Sequence, residues 1–359
     1  MAAPVATLVS FRFGGPDGVS VEATKWAGAL TELGFQVTTL AGAAPADRVL
    51  PGLGMPPGAA DHAPPPPPTD AELAGALADS DLVVVENLLS LPLNPGAAAT
   101  LARALAGRPT VVHHHDLPWQ RERFRDWRVP VPDDPSWAHV TINRLSRDEL
   151  AARAIDATAI YNVFDTHVPP GDRDGTRSTL GIPSDRLLAL QPTRAIPRKR
   201  IPAALAAAEA LDAVFWLLGP AEEGYAETLE KLLGAASVPV LRGPGRTAAD
   251  REVANAYAAC DFVTFPSAWE GFGNPVIESA VHRRPLLINR YPVAAELATF
   301  GFRWFPADRP QEVGTWLATR DPALLDHNLA VARANFDVSQ LPDRLAGVLD
   351  GAGWGWRSW

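Results

Sequence analysis

"DFVTFPSAWEGFGNPVIESA", residues 261–280, decides how the chain is read. It opens on a short apolar run, 261–267, closed by Pro266 and Ser267, which is the pattern of a buried strand. It ends on Pro275, a residue suited to the first turn of a helix, with Asn274 read as the N-cap. Between them Gly271 and Gly273 let the backbone turn sharply and come close to a ligand. Strand, glycine turn and helix start in that order leave backbone N–H groups at a loop mouth, an anion site suited to a pyrophosphate. Glu270 precedes the turn and Glu278 lies about one helical turn inside the helix. The two carboxylates therefore flank one ligand and meet different parts of it.

Outward from this stretch, the chain alternates strand and helix almost throughout, the mark of parallel α/β architecture. Strand signals occur at 5–13, 35–42, 81–87 and 109–115, with helical patterns between them. The alternation restarts with "RLLALQPT" (186–193) and continues through "AVFWLLGP" and "VPVLRGP" to 261–267. A polar Pro/Gly segment, 166–180, reads as the link between two halves. The expected domains are 1–168 and 178–339, each Rossmann-like. The last helix, about 340–359, is expected to pack back on the first domain, and the tail "GWGWRSW", with Trp354, Trp356 and Trp359, to dock across the domain junction. Residues 43–68, ending in five prolines, read as a long irregular surface loop.

The chain has 359 residues, of which 47% are hydrophobic and 20% charged, enough for two sizeable cores. A net charge of −9 argues against nucleic acid as a partner. The single cysteine, Cys260, excludes an internal disulfide. No run of about 20 apolar residues marks a transmembrane helix, and the start lacks a signal-peptide pattern. The cytoplasm is the default location. Only three lysines occur, Lys25, Lys199 and Lys231, so a lysine in a chemically sensible place stands out.

The 270–278 pair resembles the E-x7-E motif of retaining glycosyltransferases with the GT-B fold, especially glycosyltransferase family four. The resemblance implies two Rossmann-like domains facing a central cleft and a nucleotide-diphosphate sugar as donor, with no cofactor and no metal. It implies that Glu278 holds the nucleotide ribose and Glu270 lies by the donor sugar, with Phe272, Gly273 and Asn274 lining the donor. "QPTRAIPRKRIPAAL" (191–205) is similar to the family's pyrophosphate clamp, with Arg194 and Lys199 as the two cations, although Pro192-Thr193 and Arg200 stand where glycines are often found. Arg198 competes with Lys199 for that role. "FGGPDGVSVEA" (13–23) resembles the N-terminal glycine-rich loop, with Gly14 and Gly15 near the donor; Asp17 and Ser20 are equally helix-capping residues. Gly219, in "FWLLGP", matches the glycine that approaches the nucleotide base.

"VVHHHDLPW" (111–119) leaves a strand, so His113 and His115 share one side and His114 the other. By resemblance His115 is the histidine that touches the donor sugar. Three adjacent histidines also raise a metal, but strand neighbours cannot all face one ion and no local spacing completes a site. "YNVFD" (161–165) marks the end of the first domain. Arg121, Arg123 and Arg125 suit an anionic acceptor or are plain surface charge. The expected reaction is transfer of a hexose to an acceptor hydroxyl with retained configuration. Alternatives are a GT-B epimerase or phosphorylase, or a non-catalytic nucleotide-binding homologue. Nucleotide base, sugar, acceptor and oligomeric state are not fixed by these residues.

Overall fold

The computed structural model describes residues 2–15, 17–56, 63–243 and 250–359. The chain divides into two compact units, Met1–Val163 with Val338–Trp359, and Phe164–Asp337.

The first unit is built on a parallel sheet of β1 (Val5–Ser10), β2 (Gln36–Ala41), β3 (Arg48–Val49), β4 (Leu82–Glu86), β5 (Thr110–His114), β6 (Trp137–Thr141) and β7 (Ala157–Ala159). The spatial order is β3-β2-β1-β4-β5-β6-β7, so the winding reverses between β1 and β4. The period of two sorts each strand's side chains onto opposite faces. Leu82 and Val84 of β4 join Leu8, Val111 and Val140 in one core, beneath Trp26 and Leu30 of helix α1 (Gly18–Glu32). Val83 and Val85 join Val9 and Val112 in the other core. Helices α2 (Asp70–Ala76) and α3 (Pro95–Leu105) cover that face with Leu73, Leu101 and Leu105. Helix α4 (Arg144–Ala151) precedes β7.

In the second unit the strands are β8 (Leu188–Gln191), β9 (Val214–Leu217), β10 (Val240–Arg242), β11 (Phe262–Phe265), β12 (Leu286–Ile288) and β13 (Phe305–Pro306). Their order, β10-β9-β8-β11-β12-β13, reverses between β8 and β11. Helices α5 (Arg173–Thr179), α6 (Ile201–Ala210), α7 (Ala226–Gly234), α8 (Asp250–Ala259), α9 (Asn274–Val281), α10 (Pro292–Ala298), α11 (Gln311–Thr319) and α12 (Pro322–Phe336) pack around it. Ala189, Phe215, Phe262 and Leu287 meet Ala204, Leu205 and Leu229 in its core. In an open α/β sheet the reversal point opens a crevice at the carboxyl ends of the strands, where ligands bind.

Several expectations need correction. The units part at 163/164 and 337/338 rather than as 1–168 and 178–339. Segment 166–180 is not a free link: it carries α5, whose Arg173 and Arg177 ion-pair with buried Asp261, at 2.8 and 3.3 Å. The final helix α13 (Leu341–Gly351) belongs to the first unit, as expected, and the tail does too rather than docking across the domain junction. There Trp356 stacks on Phe35 with ring centroids 5.9 Å apart and Trp359 meets it edge-on, so the tail completes that unit's own core. The proline-rich stretch 43–68 includes β3, and its residues 57–62 lie outside the described residues.

Candidate active site

In the second unit the site grows from the loops that leave β8 and β11, on either side of the reversal point. After β8, Pro197–Lys199 form one 3-10 turn, and Arg200 takes a left-handed conformation (φ +51°) to launch α6. The loop after β11 is tied to this turn, because Ala268 N–H donates to the Arg198 carbonyl at 2.8 Å. Glu270, 5% exposed, then meets both cations: Lys199 Nζ donates to Oε1 and Arg198 Nη1 to Oε2. Arg198 and Lys199 thus share the carboxylate rather than compete. Burial works to raise the Glu270 carboxyl, but Lys199 and Arg198 hold it at about 2. Burial pushes the Lys199 ammonium down to about 8; Glu270 counters this, while Arg198 and Arg194 add to the drop. One carboxylate facing several cations leaves an excess of positive charge in a dry place, which suits an incoming anion.

Arg194 is partly exposed and ion-paired with Glu222. Gly219 sits against it: a Cβ there would stand 2.5 Å from the Arg194 Cα and N. Its role within the structure is to let the β9 exit pass the Arg194 backbone closely.

Gly273 adopts φ +100°, and an added Cβ would lie 2.4 Å from Tyr291 Oη. The N-cap of α9 is Gly273, with no side-chain cap, and Asn274 is the first helical residue; this corrects the expected cap. The helix start is left to backbone N–H groups, as an anion site needs. Phe272 does not present its ring to a ligand. It is buried, with ring centroids 6.2 Å from Phe164 and 6.1 Å from Phe336, so only its backbone remains to line a site. Glu278, also buried, accepts a hydrogen bond at 2.7 Å from Tyr257 Oη, a partner on α8 that its sequence neighbourhood did not suggest.

In the first unit the comparable loops leave β1, β4 and β5. Gly14 has φ +69° and packs so tightly on Pro45 that a Cβ would stand 2.6 Å from its Cγ. Gly15 follows it, and Asp17 caps α1 by accepting from Ser20 N–H at 3.0 Å. The three histidines sort as alternation requires. His114 turns to Ser90 and His139, at 2.7 and 2.9 Å. His113 and His115 both reach Glu86, whose Oε2 lies 2.8 Å from His113 Nδ1 and 2.7 Å from His115 Nε2. Asn87 Oδ1 accepts from the backbone N–H of His115 at 3.1 Å and of Asp116 at 3.2 Å, fixing the exit from β5.

Glu86 and Asn87 were missed from sequence; the signal was a lone carboxylate ending the apolar strand "DLVVVEN". The acid comes to the histidine pair through strand register, Glu86 facing His113 across β4 and β5, and not through local spacing. Among the described residues, Glu86, His113 and His115 form the one set of potential ligand atoms grouped within 4.8 Å. In this structure both histidines are hydrogen-bonded to Glu86 Oε2. Of the arginine run, Arg121 pairs with Asp116, Arg125 with Glu122, and Arg123 lies over the Phe124 ring.

Residues 194–323 match the family described as Glycosyl transferases group 1. Over that segment the chain is similar to glycosyltransferases of this family. Over 329 residues it is 28% identical to mannosylglucosylglycerate synthase of Thermotoga maritima, covering 76% of each chain. It is 29% identical over 192 residues to D-inositol 3-phosphate glycosyltransferase of Mycolicibacterium smegmatis, covering 49% of this chain and 43% of that one. The crystal structure of Anabaena HepE in complex with UDP-glucose superposes with a TM-score of 0.72 at 18% identity, covering 96% of this chain and 99% of that one. The fold of this glycosyltransferase is therefore the α/β GT-B fold expected from its sequence. Among its described residues no helix is long and apolar enough to cross a membrane.

Proposed function

We propose that this glycosyltransferase moves a hexose from a nucleoside diphosphate sugar to an acceptor hydroxyl, with retained anomeric configuration and without a metal. The observation that carries this is the buried Lys199–Glu270–Arg198 cluster, tied through the Ala268–Arg198 hydrogen bond to the loop that opens α9. Lys199 and Arg194 stabilise the diphosphate as charge builds on it, a role that is strongest where water is excluded. The helix start supplies N–H groups to the same phosphates. Glu278, oriented by Tyr257, takes the ribose hydroxyls, and the resemblance assigns His115 to the donor sugar.

Retention by double displacement needs a carboxylate free to attack the anomeric carbon. Both oxygens of Glu270 are held by cations, and its charge is spent on them. We therefore favour attack by the acceptor on the face the diphosphate leaves, with the departing phosphate oxygen accepting the acceptor's proton. The names of two relatives carry anionic polyols, glycerate and inositol 3-phosphate. These make small anionic polyols the first acceptors to screen, with UDP-glucose as the first donor. The test is transfer in EDTA followed by NMR of the product's anomeric proton. An α-linked product from an α-linked donor supports the proposal. An inverted product, or activity abolished by EDTA and restored by a divalent cation, overturns it.

A further inference from the structure

The exit of β12 is built onto the turn between β11 and α9. Asn289 Nδ2 donates to the Ser267 carbonyl at 3.3 Å, and two residues on, Tyr291 Oη donates to the Phe272 carbonyl, also at 3.3 Å. Tyr291 is itself held in place. It is 3% exposed, meets Phe265 edge-on with ring centroids 6.3 Å apart, and stands as the N-cap of α10, where its carbonyl accepts from Ala295 N–H at 3.0 Å. Phe265 in turn carries Lys199 over its ring, with Nζ 5.2 Å from the centroid. Burial, and after it the charge of Glu270, keep the Tyr291 hydroxyl well above its ordinary value against a smaller pull from Arg198, so it stays a donor.

What this contact does follows from peptide geometry. A trans peptide is planar and points its carbonyl and its N–H in opposite directions. With the Phe272 carbonyl turned to Tyr291, the Gly273 N–H points away from Tyr291. Gly273 is buried, and its N–H has no hydrogen-bond partner among the described residues. A buried amide left unpaired is costly and uncommon. This donor also stands out within its own helix start. Pro275 has no N–H, and the N–H of Val276 is taken by the Gly273 carbonyl at 2.9 Å. The fit is close from the other side too. The Tyr291 oxygen lies 2.4 Å from where a Cβ at 273 would stand, so a hydroxyl at 291 and a glycine at 273 go together.

We propose that Tyr291 is a positioning residue: by holding the Phe272 carbonyl it aims the Gly273 N–H at an oxygen of the donor's distal phosphate, the one that carries the sugar. The pairing of Tyr291 with Gly273 stands on the geometry of the second unit alone; the ligand contact rests on the function proposed above. The amide then meets the phosphate on which charge builds as the sugar leaves, already oriented for it.

Calorimetric titration of UDP, GDP, ADP and dTDP, each beside its monophosphate, tests the ligand contact. Tyr291→Phe should weaken the diphosphate that the wild type binds about tenfold and leave the matching monophosphate unchanged. A turn that is merely loosened would displace Glu278 as well and weaken both alike; that result, or no change in either, overturns the proposal. In the wild type the Gly273 amide resonance should shift on adding the diphosphate and not the monophosphate, and an equal response to both overturns it as well. Melting of Gly273→Ala, Tyr291→Phe and the double variant tests the pairing without any ligand. Removing the hydroxyl should lower the melting temperature of the wild type slightly and raise that of Gly273→Ala, whereas additive shifts overturn the pairing. If Gly273→Ala does not fold, the titrations of Tyr291→Phe decide; if Tyr291→Phe does not fold, the amide resonance decides. If the wild type binds no nucleotide while the melting shifts are as expected, the proposed function fails and the Tyr291–Gly273 assignment stands.

Discussion

Replacing Lys199 by methionine keeps the stem of the side chain and removes its charge, leaving Glu270 buried with Arg198 alone. A hydrogen bond to a charged group is worth about 1.5–3 kcal/mol, and Arg198 retains part of the compensation, so about 2 kcal/mol of stability should be lost. The second unit spans residues 164–337, a size at which each kcal/mol moves the melting temperature by about 2–4 °C. The unit should then melt about 4–8 °C lower. Activity should fall further, since Lys199 also faces the departing diphosphate: removing one such donor costs about 10²–10³ in kcat. Differential scanning calorimetry and initial-rate kinetics measure the two effects on one sample. The decisive variant is Lys199→Met/Glu270→Gln, which removes both charges. If uncompensated burial of Glu270 causes the instability, the double variant melts above the single one while remaining inactive, a coupling that a double-mutant cycle reads directly. A double variant no more stable than Lys199→Met, or a Lys199→Met enzyme with wild-type kcat, would refute this account of the cluster.

Three further outcomes follow from the same structure. Tyr257→Phe removes the hydroxyl that orients Glu278 and should weaken nucleotide binding roughly tenfold by calorimetric titration, with little change in melting; unchanged affinity would detach Glu278 from the nucleotide. Gly273→Ala places a Cβ 2.4 Å from Tyr291 Oη at φ +100° and should cost about 2 kcal/mol or more along with most activity, and a stable, active variant would contradict the tight turn. Acid should destabilise the protein in two stages. His113, His114, His139 and His282 all have folded pKa values lowered first of all by burial. The unfolded chain therefore binds more protons as pH falls below about 6.5, and each such group costs up to about 1.4 kcal/mol per pH unit. His115 has the opposite sign: its stabilisation is complete below about 6.5 and fades as pH rises through its folded value, so it adds no slope in the range where the four are lost. Glu86 and Glu270, held at about 2, add a second loss as pH falls below about 4.5. Chemical denaturation at pH 7.5, 6, 5 and 4 reads the slope, and stability that is flat across that range would refute the assignment of neutral buried histidines.

Much of this was legible because it is local. Gly271, Gly273 and Pro275 announce a turn into a helix without knowledge of the rest of the chain, and strand alternation places His113 and His115 together. What escaped depends on pairings distant in sequence. Glu86 meets His113 because the two residues are register partners on neighbouring parallel strands, 27 positions apart. Tyr257 reaches Glu278 from the preceding helix. Arg173 and Arg177 convert an apparent linker into part of the second unit by closing on Asp261, more than 80 positions away. The two-residue strands β3 and β13 are too short to leave a periodic trace. At residue 274 a favourable N-cap side chain gave way to backbone geometry, since the positive φ of Gly273 starts the helix one residue early.

The most direct test of the central claim is calorimetric titration of UDP, GDP, ADP and dTDP into the protein in EDTA, repeated with Glu278→Ala. One nucleotide should bind without metal to the wild type, and the variant should lose that binding while keeping its fold. Binding of none of them, or equal binding by Glu278→Ala, would contradict a donor site built on the 270–278 turn.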